Sequence, residues 1–101
     1  MLLEKGVDAN TADKLERRSL LHRACFQGSV EIALALLEVK ARVSSRDKLK
    51  RTPLIMAAMG GSTKICSHLL AAKAQVQEVD SSGNSALHYA AGYGWVHVVH
   101  F

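Results

Sequence analysis

Apolar residues recur along this chain on a period longer than any single helix or strand. Slid by 33 residues, the sequence falls on itself. Leu21, Leu54 and Leu87 share one column, and Ala24, Ala57 and Ala90 share another. Gly28, Gly61 and Gly94 follow, then Ile32, Ile65 and Val98. Leu36-Leu37 lies over Leu69-Leu70, and Ala41 over Ala74. The polar positions keep step: Ser19, Thr52 and Ser85 precede the leucine column, and Asp47 lies over Asp80. Agreement over so many columns marks an array of repeats. The start of the chain joins the array at an offset of 34, with Leu2-Leu3 under Leu36-Leu37 and Asp13-Lys14-Leu15 under Asp47-Lys48-Leu49. That register places one extra residue among Glu16, Arg17 and Arg18.

Within each unit the pattern predicts two helices. Ser19, Thr52 and Ser85 are N-caps, whose side-chain oxygen accepts an orphan amide. Pro53 stands at the first helical position, where its missing N–H costs nothing. A short helix runs through the Leu and Ala columns, and the glycine column ends it in a left-handed conformation. The second helix carries Ile32, Leu36 and Leu37, then Ile65, Leu69 and Leu70, the stripe of one buried face. A polar turn opened by Asp13, Asp47 or Asp80 joins the units, since Asp bonds its own backbone readily.

These residues resemble the ankyrin repeat family. Ser19-Leu20-Leu21-His22, Thr52-Pro53-Leu54-Ile55 and Ser85-Ala86-Leu87-His88 occupy its T-P-L-H position, and Tyr89-Ala90-Ala91-Gly92-Tyr93-Gly94 its x-A-A-x-x-G. The resemblance covers essentially the whole chain. It implies an all-α solenoid of stacked helix-turn-helix units joined by β-turn loops. One domain then spans 1–101: a partial repeat at 1–12, repeats at 13–46 and 47–79, and a truncated repeat at 80–101. Both ends fall inside an element, so the chain reads as repeats from a longer array, or as units that associate head to tail through uncapped ends.

The departures from the family carry expectations of their own. Glycine usually follows the second helix; Gly6 keeps it, whereas Lys40 and Lys73 replace it. A lysine held left-handed costs on the order of 1 kcal/mol. The loop glycine survives as Gly83, with Arg17 and Lys50 near that place in the earlier loops. Ile55 interrupts the row formed by His22 and His88, whose histidines the resemblance assigns to hydrogen bonds between adjacent turns.

Composition narrows the class without naming a partner. The chain is 49% hydrophobic and 22% charged, as in ordinary globular domains and unlike disordered or collagenous ones. No window of eighteen residues is apolar enough to span a membrane, and the first residues lack the pattern of a signal peptide. A cytoplasmic or nuclear location is expected, with Cys25 and Cys66 reduced.

Candidate chemistry is sparse. His22 and Cys25 are three apart on one helix face, the spacing of a thiolate–imidazole pair. Cys25, however, stands in the column of Ala58 and Ala91, which makes it a small packed residue. Cys66 with His68, and His97 with His100, do not combine into a four-ligand zinc site. Gly60-Gly61-Ser62-Thr63-Lys64 lacks the order of a phosphate loop. No catalytic residue, metal site or cofactor is expected.

The net charge of +4 is concentrated in the loops, in Lys14, Arg17 and Arg18 and again in Arg46, Lys48, Lys50 and Arg51. Stacked side by side, these loops would form a basic stripe that favours an acidic partner. A nucleic acid or another anionic surface is the weaker alternative for this stripe, since no aromatic platform stands among the basic residues. The resemblance implies a protein-binding module, or a structural spacer, that uses its loop tips and concave helix face. The variable positions carried over are Lys14, Leu15, Arg18, Phe26 and Gln27 in the first unit. The second supplies Lys48, Leu49, Arg51, Met59 and Gly60. The third supplies Ser81, Ser82, Asn84, Gly92 and Tyr93, together with Tyr89 and with Trp95 just beyond. Changing Lys48, Leu49 and Arg51 together is expected to spare the fold, whereas Leu21, Leu54 and Leu87 are expected to carry the stack.

Overall fold

A computed structural model of the chain describes Ala12 and residues 14–92. Five helices follow one another: α1 (Leu20–Gln27), α2 (Val30–Glu38), α3 (Pro53–Gly60), α4 (Thr63–Ala71) and α5 (Ala86–Gly92). The first helices of successive units, α1, α3 and α5, pack side by side as one layer. Helices α2 and α4 form the second layer behind α1 and α3. The all-α solenoid expected from the repeat is therefore present. Leu2, Leu3, Gly6 and Asp13 lie outside the described residues, as do Tyr93, Gly94, Trp95, His97, Val98, His100 and Phe101.

Each helix starts and stops as its sequence dictates. The Ser19 hydroxyl accepts the His22 amide at 3.2 Å, and the Thr52 hydroxyl accepts the Ile55 amide at 3.2 Å. Gly28 and Gly61 close α1 and α3 at φ 74°. Beyond each glycine, the Ser29 and Ser62 amides reach back to the Ala24 and Ala57 carbonyls at 3.0 Å. This six-to-one bond is what a left-handed terminator provides. Lys40 and Lys73 do the same for α2 and α4 at φ 65° and 75°, and the following Ala41 and Ala74 amides make the same bond at 3.0 Å.

The core is a column of small and branched side chains. Leu21, Leu36, Leu54, Ile65 and Leu69 are buried, with alanines and both cysteines between them. Helix α3 is buried from Pro53 to Ala58, because α1, α4 and α5 enclose it. An α-helix that is apolar on all sides is stable only inside such a sandwich. Close approach also needs a missing side chain. A Cβ on Gly60 would stand 2.6 Å from the Phe26 carbonyl oxygen, so this glycine lets α3 lie against α1.

Two expectations are corrected. Leu87 is 45% exposed, whereas Leu21 and Leu54 are each 1% exposed. The reason is geometric: among the described residues α5 has α3 on one side and no further first helix stacked on the other. The extra residue of the first loop also lies elsewhere. Arg17, Lys50 and Gly83 are all left-handed and are 33 apart, at φ 58°, 62° and 81°. Glu16 and Leu49 offer equivalent carbonyls, to Lys48 N and Ser81 N at 2.7 and 2.8 Å. The insertion therefore sits ahead of Glu16, and the tip of the first loop is one residue wider. Leu15 and Leu49 are not backbone equivalents; Glu16 holds the place of Leu49.

His22 ties the first unit to the second. Its Nδ1 accepts the Ser19 amide at 3.2 Å, which leaves the proton on Nε2. That Nε2–H donates to the Arg51 carbonyl at 2.6 Å. Burial disfavours the charged ring and lowers the His22 pKa below its usual value. Ile55 takes the corresponding place in the second unit and is buried there, so apolar packing replaces the bond at the next joint.

Two outcomes follow for stability. Lys40→Gly and Lys73→Gly should each stabilise the fold by about 0.5–1 kcal/mol, since glycine adopts positive φ without the Cβ clash. Urea titration of each variant measures this directly. For His22, the unfolded chain takes up a proton before the folded chain does. Its contribution is complete above the ordinary histidine pKa of about 6.5 and is lost as pH falls below it. Denaturation midpoints at pH 7 and pH 5 should differ more for the native chain than for His22→Ile.

A candidate interaction surface along the loop tips

The turns between units stack tip upon tip. Within the second tip, Asp47 N donates to Arg51 O at 3.0 Å and Lys50 N to Asp47 O at 2.9 Å. The third tip repeats this with Asp80 N to Asn84 O and Gly83 N to Asp80 O, each at 2.9 Å. Each tip also donates one amide to the preceding one, as given above for Lys48 and Ser81. The three turns are thereby fixed in register.

The interior of the second and third tips is a carboxylate. Asp47 Oδ1 accepts the Leu49 and Arg51 amides at 2.9 and 2.8 Å. Its Oδ2 accepts Arg51 Nε–H at 3.0 Å, and Arg18 Nε from the preceding unit lies 3.5 Å away. Asp80 Oδ1 likewise accepts the Ser82 and Asn84 amides at 2.9 and 3.0 Å, and the Tyr89 hydroxyl donates to its Oδ2. Burial opposes the Asp80 charge. The Tyr89 hydroxyl, the Asn84 and Ser82 amides and the Arg51 guanidinium outweigh it and hold the pKa below the usual range. The Tyr89 phenol is pushed up, chiefly by its bond to Asp80. On the other side of the tips, Arg46 pairs with Glu78 of the following turn.

The residues singled out in the sequence thus fall into three groups. Lys14, Leu15, Lys48, Leu49, Ser81 and Ser82 are exposed on the tips. Arg18, Arg51, Asn84 and Tyr89 are partly buried and engaged with the two carboxylates or their turns. The Arg51 side chain is only 12% exposed, so an exchange that includes Arg51 would disturb the tip itself. Phe26 and Gln27 are exposed at the far end of α1, with Met59 half-buried at the far end of α3. An eight-residue helix is about 12 Å long, which separates this group from the tips. Tyr93 and Trp95 lie outside the described residues. Lys50, named in the basic stripe but not among the variable columns, is exposed on the second tip. Its signal was its loop-glycine position.

The cysteines are core residues. Cys25 and Cys66 are buried and unpaired. Burial, reinforced by Cys66, raises the Cys25 pKa, and burial pushes the Cys66 thiol up to about 11. Neither is a ready thiolate nucleophile. His22, three residues from Cys25, spends both ring nitrogens on Ser19 and Arg51.

Comparison with known proteins agrees with the architecture. The family profile described as "Ankyrin repeats (3 copies)" matches residues 21–101. "Glycerophosphocholine phosphodiesterase gde1" of Schizosaccharomyces pombe is 37% identical over 98 residues, covering 96% of this chain and 8% of the relative. "Poly [ADP-ribose] polymerase tankyrase" of Caenorhabditis elegans is 44% identical over 90 residues, covering 89% of this chain and 4% of the relative. The human "Ankyrin repeat and KH domain-containing protein 1" is 42% identical over 80 residues, covering 77% and 3%. The chain therefore spans less than a tenth of each of these relatives, and the two enzyme names among them belong to much longer proteins. Ankyrin repeats are themselves non-catalytic protein–protein interaction modules. By its profile match, its repeat register and its paired helices, this chain belongs to the ankyrin repeat family.

Proposed function

We propose that this chain binds another protein through the loop tips and the open ends of α1 and α3. The observation that carries this reading is the division of labour within the tips. Arg18 and Arg51 are engaged with a buried carboxylate, while Lys14, Lys48 and Lys50 are left exposed beside Leu15 and Leu49. Large apolar side chains on a rigid, solvent-facing surface favour a partner, and the lysines favour an acidic one. Phe26 and Gln27, with Met59, supply a second patch. Buried, unpaired thiols are in keeping with a reducing compartment, the cytoplasm or nucleus. A spacer role within a longer protein is the second reading, favoured by the small share of each relative that this chain covers.

Three variants separate binding from folding. The tip set combines Lys48→Ala, Leu49→Ala and Lys50→Gly and leaves Arg51 in place. The helix-end set combines Phe26→Ala and Met59→Ala. Leu54→Ala is the core control, expected to cost about 2–5 kcal/mol and to remove helical signal. In capture assays from cell lysate, the tip set should lose partners while keeping its circular dichroism spectrum. Full capture by a chain carrying both surface sets would move the contact to another face, whereas no specific capture by the native chain would favour the spacer reading.

A further inference from the structure

The chemistry of the tips specifies more than a protein partner in general. We infer that the tip row seats an acidic peptide segment of the partner, with carboxylates on Lys48 and Lys50 and an apolar side chain against Leu49. This rests on the protein-binding reading above and names the partner's chemistry.

Charge comes first. The basic stripe is smaller than the sequence suggests, because Asp47 engages both Arg18 and Arg51. Among the described residues, Lys14, Lys48 and Lys50 are the exposed tip cations without an ion pair or side-chain hydrogen bond. Two of the three flank Leu49 directly. Backbone conformation points the same way. Lys50 holds φ 62° at the position where the third tip has Gly83 at 81°. Glycine would adopt that conformation at lower cost, yet a cation stands there. Apolar area is the third element. Leu49 is 44% exposed and Leu15 is 82% exposed, on turns that are hydrogen-bonded into a fixed register.

A peptide suits this surface better than a nucleic acid. Residues 14–18, 47–51 and 80–84 contain no aromatic ring on which a base could stack. A phosphate backbone would use the lysines and leave the leucines uncovered. Successive tips inherit the spacing of the inner helices, about 8–10 Å. An extended chain advances about 3.3 Å per residue, so one peptide residue in about three would meet each tip.

The probe is a synthetic peptide of about twelve residues, rich in Glu and with Leu at every third position, long enough to cross all three tips. Its affinity for the whole chain is measured by fluorescence anisotropy at several salt concentrations. An all-Glu peptide, a single-stranded oligonucleotide and vesicles containing anionic lipid serve as competitors. Lys48→Ala with Lys50→Gly should weaken the peptide at least about tenfold and Leu49→Ser by a smaller factor, while Ser67→Ala, exposed on α4 and away from both patches, should leave it unchanged. The all-Glu peptide should bind more weakly than the leucine-bearing one. Equal binding of the two peptides overturns the inference, as does tighter binding of the oligonucleotide or the vesicles. Loss on Phe26→Ala alone moves the contact to the helix ends and overturns the inference while leaving protein binding in place. Failure of the peptide to bind the native chain also overturns it; the capture assay above then tests protein binding independently.

Discussion

The Asp47 carboxylate has four polar groups around it and almost no water: its side chain is 1% exposed. Two are amides of its own turn, one is the guanidinium of that turn, and one is the guanidinium of the unit before. A buried charge is tolerable only when it is met in this way. Because the four partners come from two units, the carboxylate sets both the shape of its turn and the position of the neighbouring turn. Asp80 repeats the arrangement with a different second partner, the Tyr89 hydroxyl. The exposed residues of the tips are what remains once these internal demands are met.

Hydrophobic stacking supplies the affinity between units, and these polar contacts supply the register. No unit can bury its own helices; α3 is enclosed only because α1 and α5 flank it. Stability in such arrays is a sum of nearest-neighbour interfaces. The two described joints are built differently. His22 bridges to the Arg51 carbonyl at the first, whereas Ile55 relies on apolar contact at the second. Arg46 and Glu78 add an exposed ion pair to the second joint. Exposed pairs of this kind contribute little.

Most of the fold was legible in the sequence because its signals are local. Caps at Ser19 and Thr52, stops at Gly28 and Gly61, and left-handed Lys40 and Lys73 each depend on a few neighbouring residues. The site was less legible, because it depends on contacts between units. Nothing in a list of variable columns distinguishes Arg51, turned onto Asp47, from Lys48, left in water. Tyr89 was singled out as a contact residue, and its hydroxyl serves a carboxylate nine positions earlier. The shifted insertion in the first tip was missed for a related reason. Matching letters aligned Leu15 with Leu49, whereas backbone conformation and hydrogen bonding align Glu16 with Leu49.

The central claim is that one buried carboxylate organises the tips, and amide hydrogen exchange tests it most directly. Asp47→Asn keeps an acceptor for the two amides but turns an NH2 group toward two guanidiniums. A hydrogen bond to a charged group is worth about 1.5–3 kcal/mol. The Leu49, Arg51 and Ser81 amides of the variant should therefore exchange roughly ten- to a hundredfold faster than in the native chain, while the amides inside α1 and α3 keep their protection. Unchanged exchange at all three tip amides would contradict the account.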